Sequence, residues 1–188
     1  MATHIALLRG INVGGNKKVS MAELREVVAS LGHTGVSTYI QSGNVLFTAQ
    51  ETDSTALAAG LEKAIAGQLG MTVGVVVVSR DELARVVAAS PYPDEPNPKQ
   101  VHAVFLPREP EAGLADAVAA AEKQAAAKGS RDTARLIGRV LYLHTPDGFG
   151  RSELALLLSK SAGPMAPRQK GTARNWATVT KLLALCDT

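Results

Sequence analysis

The chain holds a single cysteine, Cys186, among 188 residues. That excludes a disulfide framework and a cysteine-based metal cluster. Aromatic residues make up only 4% of the chain. RNA recognition by an open sheet needs exposed aromatics on its central strands, and the first apolar run, Ile5 to Leu8, has none. No apolar run reaches the roughly 18 residues a membrane span requires, so no membrane partner is expected. Met1 to His4 lack the basic stretch and long apolar core of a secretory signal. A soluble cytoplasmic protein is the expectation. The four histidines (4, 33, 102 and 144) are isolated, and neither Gly-x-Ser-x-Gly nor His-Glu-x-x-His occurs. No metal and no cofactor is therefore expected, and no catalytic set can be read. Acidic residues are missing altogether from Leu154 to Leu185, where Lys160, Arg168, Lys170, Arg174 and Lys181 all fall.

What is present is enough to fold. The chain is 46% hydrophobic and 20% charged, which suits one globular domain or two small joined ones. The net charge of +3 is unevenly placed. Residues 131–188 hold nine basic and four acidic side chains, whereas 81–130 hold five and eight. Such asymmetry suits an anionic ligand or nucleic acid, or else a solvated basic surface.

Ile5 to Leu8 is a continuous apolar run, the pattern of a strand covered on both faces. Ser20 and Glu23 have the spacing of a capping box, with Val19 and Leu24 at the hydrophobic-staple positions. Leu24, Val27, Val28 and Leu31 then mark one helix face, and Gly32 stops the helix. Val36 to Ile40 and Val45 to Phe47 read as strands around a Ser42-Gly43-Asn44 turn. Leu57, Leu61, Ile65 and Leu69 mark a second helix, and Val73 to Val78 a further strand. Residues 4–79 thus read β-α-β-β-α-β, the ferredoxin-like split βαβ arrangement. Ser79 and Glu82 cap a short helix. The proline-rich stretch 90–99 reads as a linker, dividing a half at 1–92 from a half at 93–188. The second half reads as a strand at 101–106, a helix at 110–128, a hairpin at 133–137 and 140–144, and helices at 152–159 and 175–185. It ends in a helix where a fourth strand might have stood. Two short stretches echo the first half: 102–106 resembles 4–8, and 138–142 resembles 43–47. Together they suggest a duplicated unit of about 95 residues. The fold class is α+β, with two ferredoxin-like halves packed as one compact unit.

The stretch LLRGINVGGNKKVSMAEL, residues 7–24, is the candidate site. Gly10 and Gly15 have the spacing of a P-loop, but Asn16 replaces its lysine and no hydroxyl follows to hold Mg²⁺. Nucleotide hydrolysis of that class is not expected. An anion can still be held by converging backbone N–H groups at Gly14 and Gly15, by Lys17 and Lys18, and by the helix start. The alternative is an ordinary strand-to-helix connection. Strand order in a split βαβ unit brings the turn at Gln41, Ser42 and Asn44 to the same end of the sheet as Arg9, Asn12 and Lys17. The competing explanation of Ser-Gly-Asn is turn chemistry. Arg174, Asn175 and Trp176 stand where the final helix is expected to begin. A core role is ordinary for the Trp, but the Arg and Asn beside it suit a ligand surface. Loop 10–18, turn 41–44 and segment 174–176 are expected to converge on one concave surface.

The stretches LLRGINVGGNKKVSMAELR, TYIQSGNVLF and TARNWATVTKLLAL together resemble the bacterial family catalogued as domain of unknown function 1697. The resemblance runs from residue 5 to residue 185. It implies a two-part α/β protein of ferredoxin-like character and carries no known activity. Three functions follow as expectations. The first is a binding module for a phosphorylated small molecule or nucleic acid. The second is an enzyme acting on a phosphorylated or carboxylated metabolite at the same surface, with Glu23 or Ser42 taking part. The third is an interaction protein using its basic C-terminal region.

Overall fold

A computed structural model of the chain describes residues 1–12, 18–160 and 170–188. The chain divides into two units, Met1–Arg85 with Thr180–Thr188, and Val86–Val179. In the first, β1 (His4–Leu8), α1 (Met21–Ser30), β2 (Thr34–Tyr39), β3 (Asn44–Thr48), α2 (Ser54–Leu69) and β4 (Val75–Ser79) follow in order. Their sheet runs β2-β3-β1-β4 and is antiparallel throughout. β1 is central and buried along its whole length, as its unbroken apolar run predicts. Ala6, Leu8, Val45, Phe47 and Val77 on one face of the sheet pack with Leu24, Val27 and Val28 of α1 and Leu57, Leu61 and Ile65 of α2.

Local chemistry sets the helix ends. Ser20 and Glu23 form the reciprocal capping box of α1, with each side chain accepting from the other residue's backbone N–H. Asp53 caps α2, and Gly70 closes it in the left-handed conformation.

The second unit contains β5 (Val101–Phe105), α4 (Leu114–Ala127), β6 (Thr133–Ile137), β7 (Val140–His144), α5 (Glu153–Ser159) and β8 (Thr172–Asn175). Its sheet runs β6-β7-β5-β8. The expectation of a helix in place of the fourth strand is corrected here. Residues 172–175 pair antiparallel with β5, and the last helix starts only at Trp176. The strand escaped the sequence reading because TARN has no apolar alternation; it is defined by its partner rather than by its composition. Gly171 leads into it where a side chain has no room: a Cβ there would lie 2.5 Å from the Phe105 carbonyl oxygen.

The two units therefore repeat β-α-β-β-α-β with the same sheet order. A helix follows each repeat, α3 (Arg80–Ala88) and α6 (Trp176–Cys186). Pairing register refines the sequence echo. Leu7 faces Asn44 and Phe105 faces Val140, so Asn44 corresponds to Val140, one residue on from the Arg139 that the sequence echo pairs with it.

The division between units falls after Arg85, and the proline-rich stretch lies within the second. Just before that stretch, the Val86 carbonyl of α3 accepts from the Tyr142 hydroxyl at 2.9 Å. Side chains hold the stretch itself to its sheet. The Tyr92 hydroxyl lies 2.8 Å from the Thr133 hydroxyl, and the Glu95 carboxylate lies 2.7 Å from His144 Nε2. A backbone N–H from Asn97 and then the His144 contact keep the Glu95 carboxyl below the usual carboxylate range. No helix among the described residues is long and apolar enough to cross a membrane.

Candidate functional site

At one end of the first sheet, the chain leaves β1 through Arg9, Gly10, Ile11 and Asn12. Asn12 adopts a left-handed backbone (φ 53°), which Asn tolerates better than most residues. Its side-chain amide then joins three segments. Nδ2 donates to the Val19 carbonyl at 3.0 Å and to the Gln41 carbonyl at 2.9 Å, and Oδ1 accepts from the Val19 N–H at 2.9 Å. The two flanks of the opening loop and the β2–β3 turn are thus tied at one place, as strand order requires. Asn12, Lys18, Val19, Ser20, Glu23 and Gln41 line an open depression there. Gly14, Gly15 and Lys17, three of the expected ligand residues, lie outside the described residues.

The capping box decides what α1 can offer a ligand. The Ser20 N–H is taken by Glu23 Oε2 at 3.2 Å and the Glu23 N–H by Ser20 Oγ at 3.1 Å. The Leu24 N–H goes to the Ser20 carbonyl. The helix start therefore already carries a carboxylate. Lys18, exposed beside it, supplies the positive charge of the depression. Glu23 was visible to the sequence reading as a cap; its place in the depression follows from the same geometry.

The turn residues divide by role. Asn44 is fully buried, and its amide donates to the Tyr39 carbonyl and the Ser42 hydroxyl, both at 3.0 Å. Its side chain is thus engaged in shaping the turn. Gly43 (φ 77°) is pressed against the loop: a Cβ would sit 2.7 Å from Ile11 Cδ1 and 2.8 Å from Leu8 Cβ. Ile40 is left-handed (φ 49°) and half exposed at the tip, a strained place for a β-branched side chain. Arg9 lays its guanidinium over Gly74, where a Cβ would come within 3.1 Å of it.

Arg174, Asn175 and Trp176 belong to the second unit. Arg174 lies in β8 and is buried; its guanidinium donates to the Thr172 hydroxyl at 2.7 Å and the Ala173 carbonyl at 2.9 Å. Burial lowers its pKa to about 10. Asn175 Oδ1 accepts from the Ala177 N–H at the start of α6, and the Trp176 ring lies 6.0 Å from Tyr142. A separate hollow of about 150 Å³ in this unit has mainly apolar walls, including Val104, Leu141, Leu143, Phe149 and Leu158. Ser159 and Lys170 also line it. Among the described residues, no three His, Cys, Asp or Glu side chains gather where they could hold a metal.

Two antiparallel four-stranded sheets with the same strand order, each carrying helices, define an α+β protein built on a repeated unit. The profile of the family described as "Protein of unknown function (DUF1697)" matches residues 1–142, and the chain belongs to that family. Among solved structures, it resembles that of the conserved bacterial protein SP0830 from Streptococcus pneumoniae. The two are 22% identical, 98% of each chain is covered, and the TM-score is 0.68. That likeness is one of fold. No curated protein matches the sequence.

Proposed function

We propose that the chain is a binding module for a small phosphorylated or otherwise anionic molecule, held at the depression between the opening loop and the β2–β3 turn. The observation that carries this reading is the Asn12 amide bridge, which unites the loop flanks with the Gln41 carbonyl beside Lys18. A rigidly tied loop end next to a cation is a preorganised place for an anion. Glu23 is committed to the cap of α1. That favours binding over its use as a base, and it directs the anion toward Lys18 rather than the helix start. The ferredoxin-like assignment of each unit is part of the proposal, and the shared strand order supports it. The lone cysteine, buried in α6, suits a reducing compartment such as the cytoplasm.

The test is a shift in melting temperature with inorganic phosphate, a nucleoside monophosphate and a short single-stranded oligonucleotide, repeated for Lys18→Ala. The expected result is stabilisation by one of the small anions, with affinity about tenfold or more weaker in the variant, the size of one charge-assisted hydrogen bond. No stabilisation by any probe at millimolar concentration refutes the reading. Stabilisation by the oligonucleotide alone, falling steeply with salt, replaces the small molecule with nucleic acid.

A further inference from the structure

At the opposite end of β1 from the depression, three rings gather at the edge of the first unit. The His4 ring stacks on Phe47 at 5.8 Å between centroids, and the His33 ring meets the same Phe47 at 4.8 Å. His4 is buried, and Phe47 completely so. The Thr3 hydroxyl accepts from the Ala49 N–H at 3.1 Å and lies 2.8 Å from His4 Nδ1, so one hydroxyl links the His4 ring to the backbone just beyond β3.

The same place anchors the start of the chain. The Thr3 N–H donates to the Phe47 carbonyl, the Arg80 N–H to the Thr3 carbonyl, and the Ala2 N–H to the Cys186 carbonyl. The Thr48 hydroxyl donates to the Met1 carbonyl. We propose that His4, Phe47 and His33 form an acid-operated release for residues 1–4, closed while both imidazoles are neutral and opened by protonation.

The charges around the rings agree with this. His4 and His33 repel one another once charged, and burial, followed for His4 by that repulsion, holds both below the usual imidazole range. Of the neighbouring elements, β4 presents Ser79 opposite His4, and α3 begins with Arg80, whose guanidinium turns to Asp187 and Asp81. No carboxylate is hydrogen-bonded to either imidazole among the described residues. The sign follows: both folded proton affinities lie below the unfolded ones, so the closed form is unaffected at alkaline pH and is lost as pH falls through the imidazole range.

The experiment is amide hydrogen exchange, corrected for intrinsic rates, at pH 7.5 and 5.5. It follows the N–H groups of Ala2, Thr3 and Ala49, with Leu61 in α2 as the reference. Their opening constants are expected to rise as pH falls, by up to tenfold per pH unit for each proton taken up, while Leu61 stays protected. In His33→Gln the pH response is smaller, and His4, followed by its ring NMR signals, gains proton affinity because the like charge is gone. Opening constants that do not change with pH overturn the proposal. So does a loss shared equally by Leu61, which is unfolding of the unit, or a His33→Gln variant with unaltered response and unaltered His4 titration.

Discussion

Lowering the pH from 7.5 to 5 should weaken the second unit through one side chain, His102. Its ring stacks on Phe149 at 4.2 Å, and its Nδ1 is buried without a hydrogen-bond partner. Burial lowers its pKa from 6.5 to about 4. The sign is that of a base resisting charge in the fold. The unfolded chain takes up a proton below pH 6.5 and the folded chain does not, so stability falls from there until the folded group titrates near 4. Linkage between those two values gives about 2 kcal/mol lost between pH 7.5 and 5. The ring retains some solvent contact, and discounting for that leaves about 1 kcal/mol. The assay is urea unfolding followed by Trp176, the only tryptophan of the chain, which lies in the same unit as His102. His102→Leu keeps an apolar neighbour against the Phe149 ring and cannot titrate. It is expected to match or exceed the parent at pH 7.5 and to lose about 1 kcal/mol less on going to pH 5. Equal losses in parent and variant would refute the argument.

Other expectations test the scaffold of the candidate site. Gly43→Ala forces a Cβ against Ile11 and Leu8 at a left-handed position, and chemical denaturation should show a loss of about 2 kcal/mol or more. Asn12→Ala removes three hydrogen bonds that join the loop to Val19 and Gln41; about 1–3 kcal/mol should be lost, with faster amide exchange at Val19. Leu61→Ala empties a fully buried place between α2 and the first sheet, and a loss of about 2–5 kcal/mol is expected by urea unfolding. Tyr142→Phe deletes the donor to the Val86 carbonyl; the cost should be about 1–2 kcal/mol, and tryptic cleavage after Arg85 should accelerate.

Much of this protein was decided within short stretches of sequence, because the forces involved are local. Capping by Ser20 and Glu23, the stop at Gly70, and the hairpin at 133–144 each need only neighbours a few residues apart. The unbroken apolar run of β1 announced a central strand, since only a strand buried on both faces can be apolar throughout. Strand order then followed from the β-α-β-β-α-β succession, and with it the meeting of the opening loop and the β2–β3 turn. The tertiary structure alone decided the features that depend on a distant partner. β8 is a strand because β5 offers it a backbone edge, and nothing in Thr-Ala-Arg-Asn signals that. The proline-rich stretch looks like a linker in composition, yet Tyr92 and Glu95 fasten it to β6 and β7 through contacts more than 40 residues apart. Asn12 and Asn44 looked like equal ligand candidates. Asn44 is buried with its amide turned into its own turn, whereas Asn12 binds segments 7 and 29 residues away. Such long-range hydrogen bonds form only after the sheet has brought their partners together.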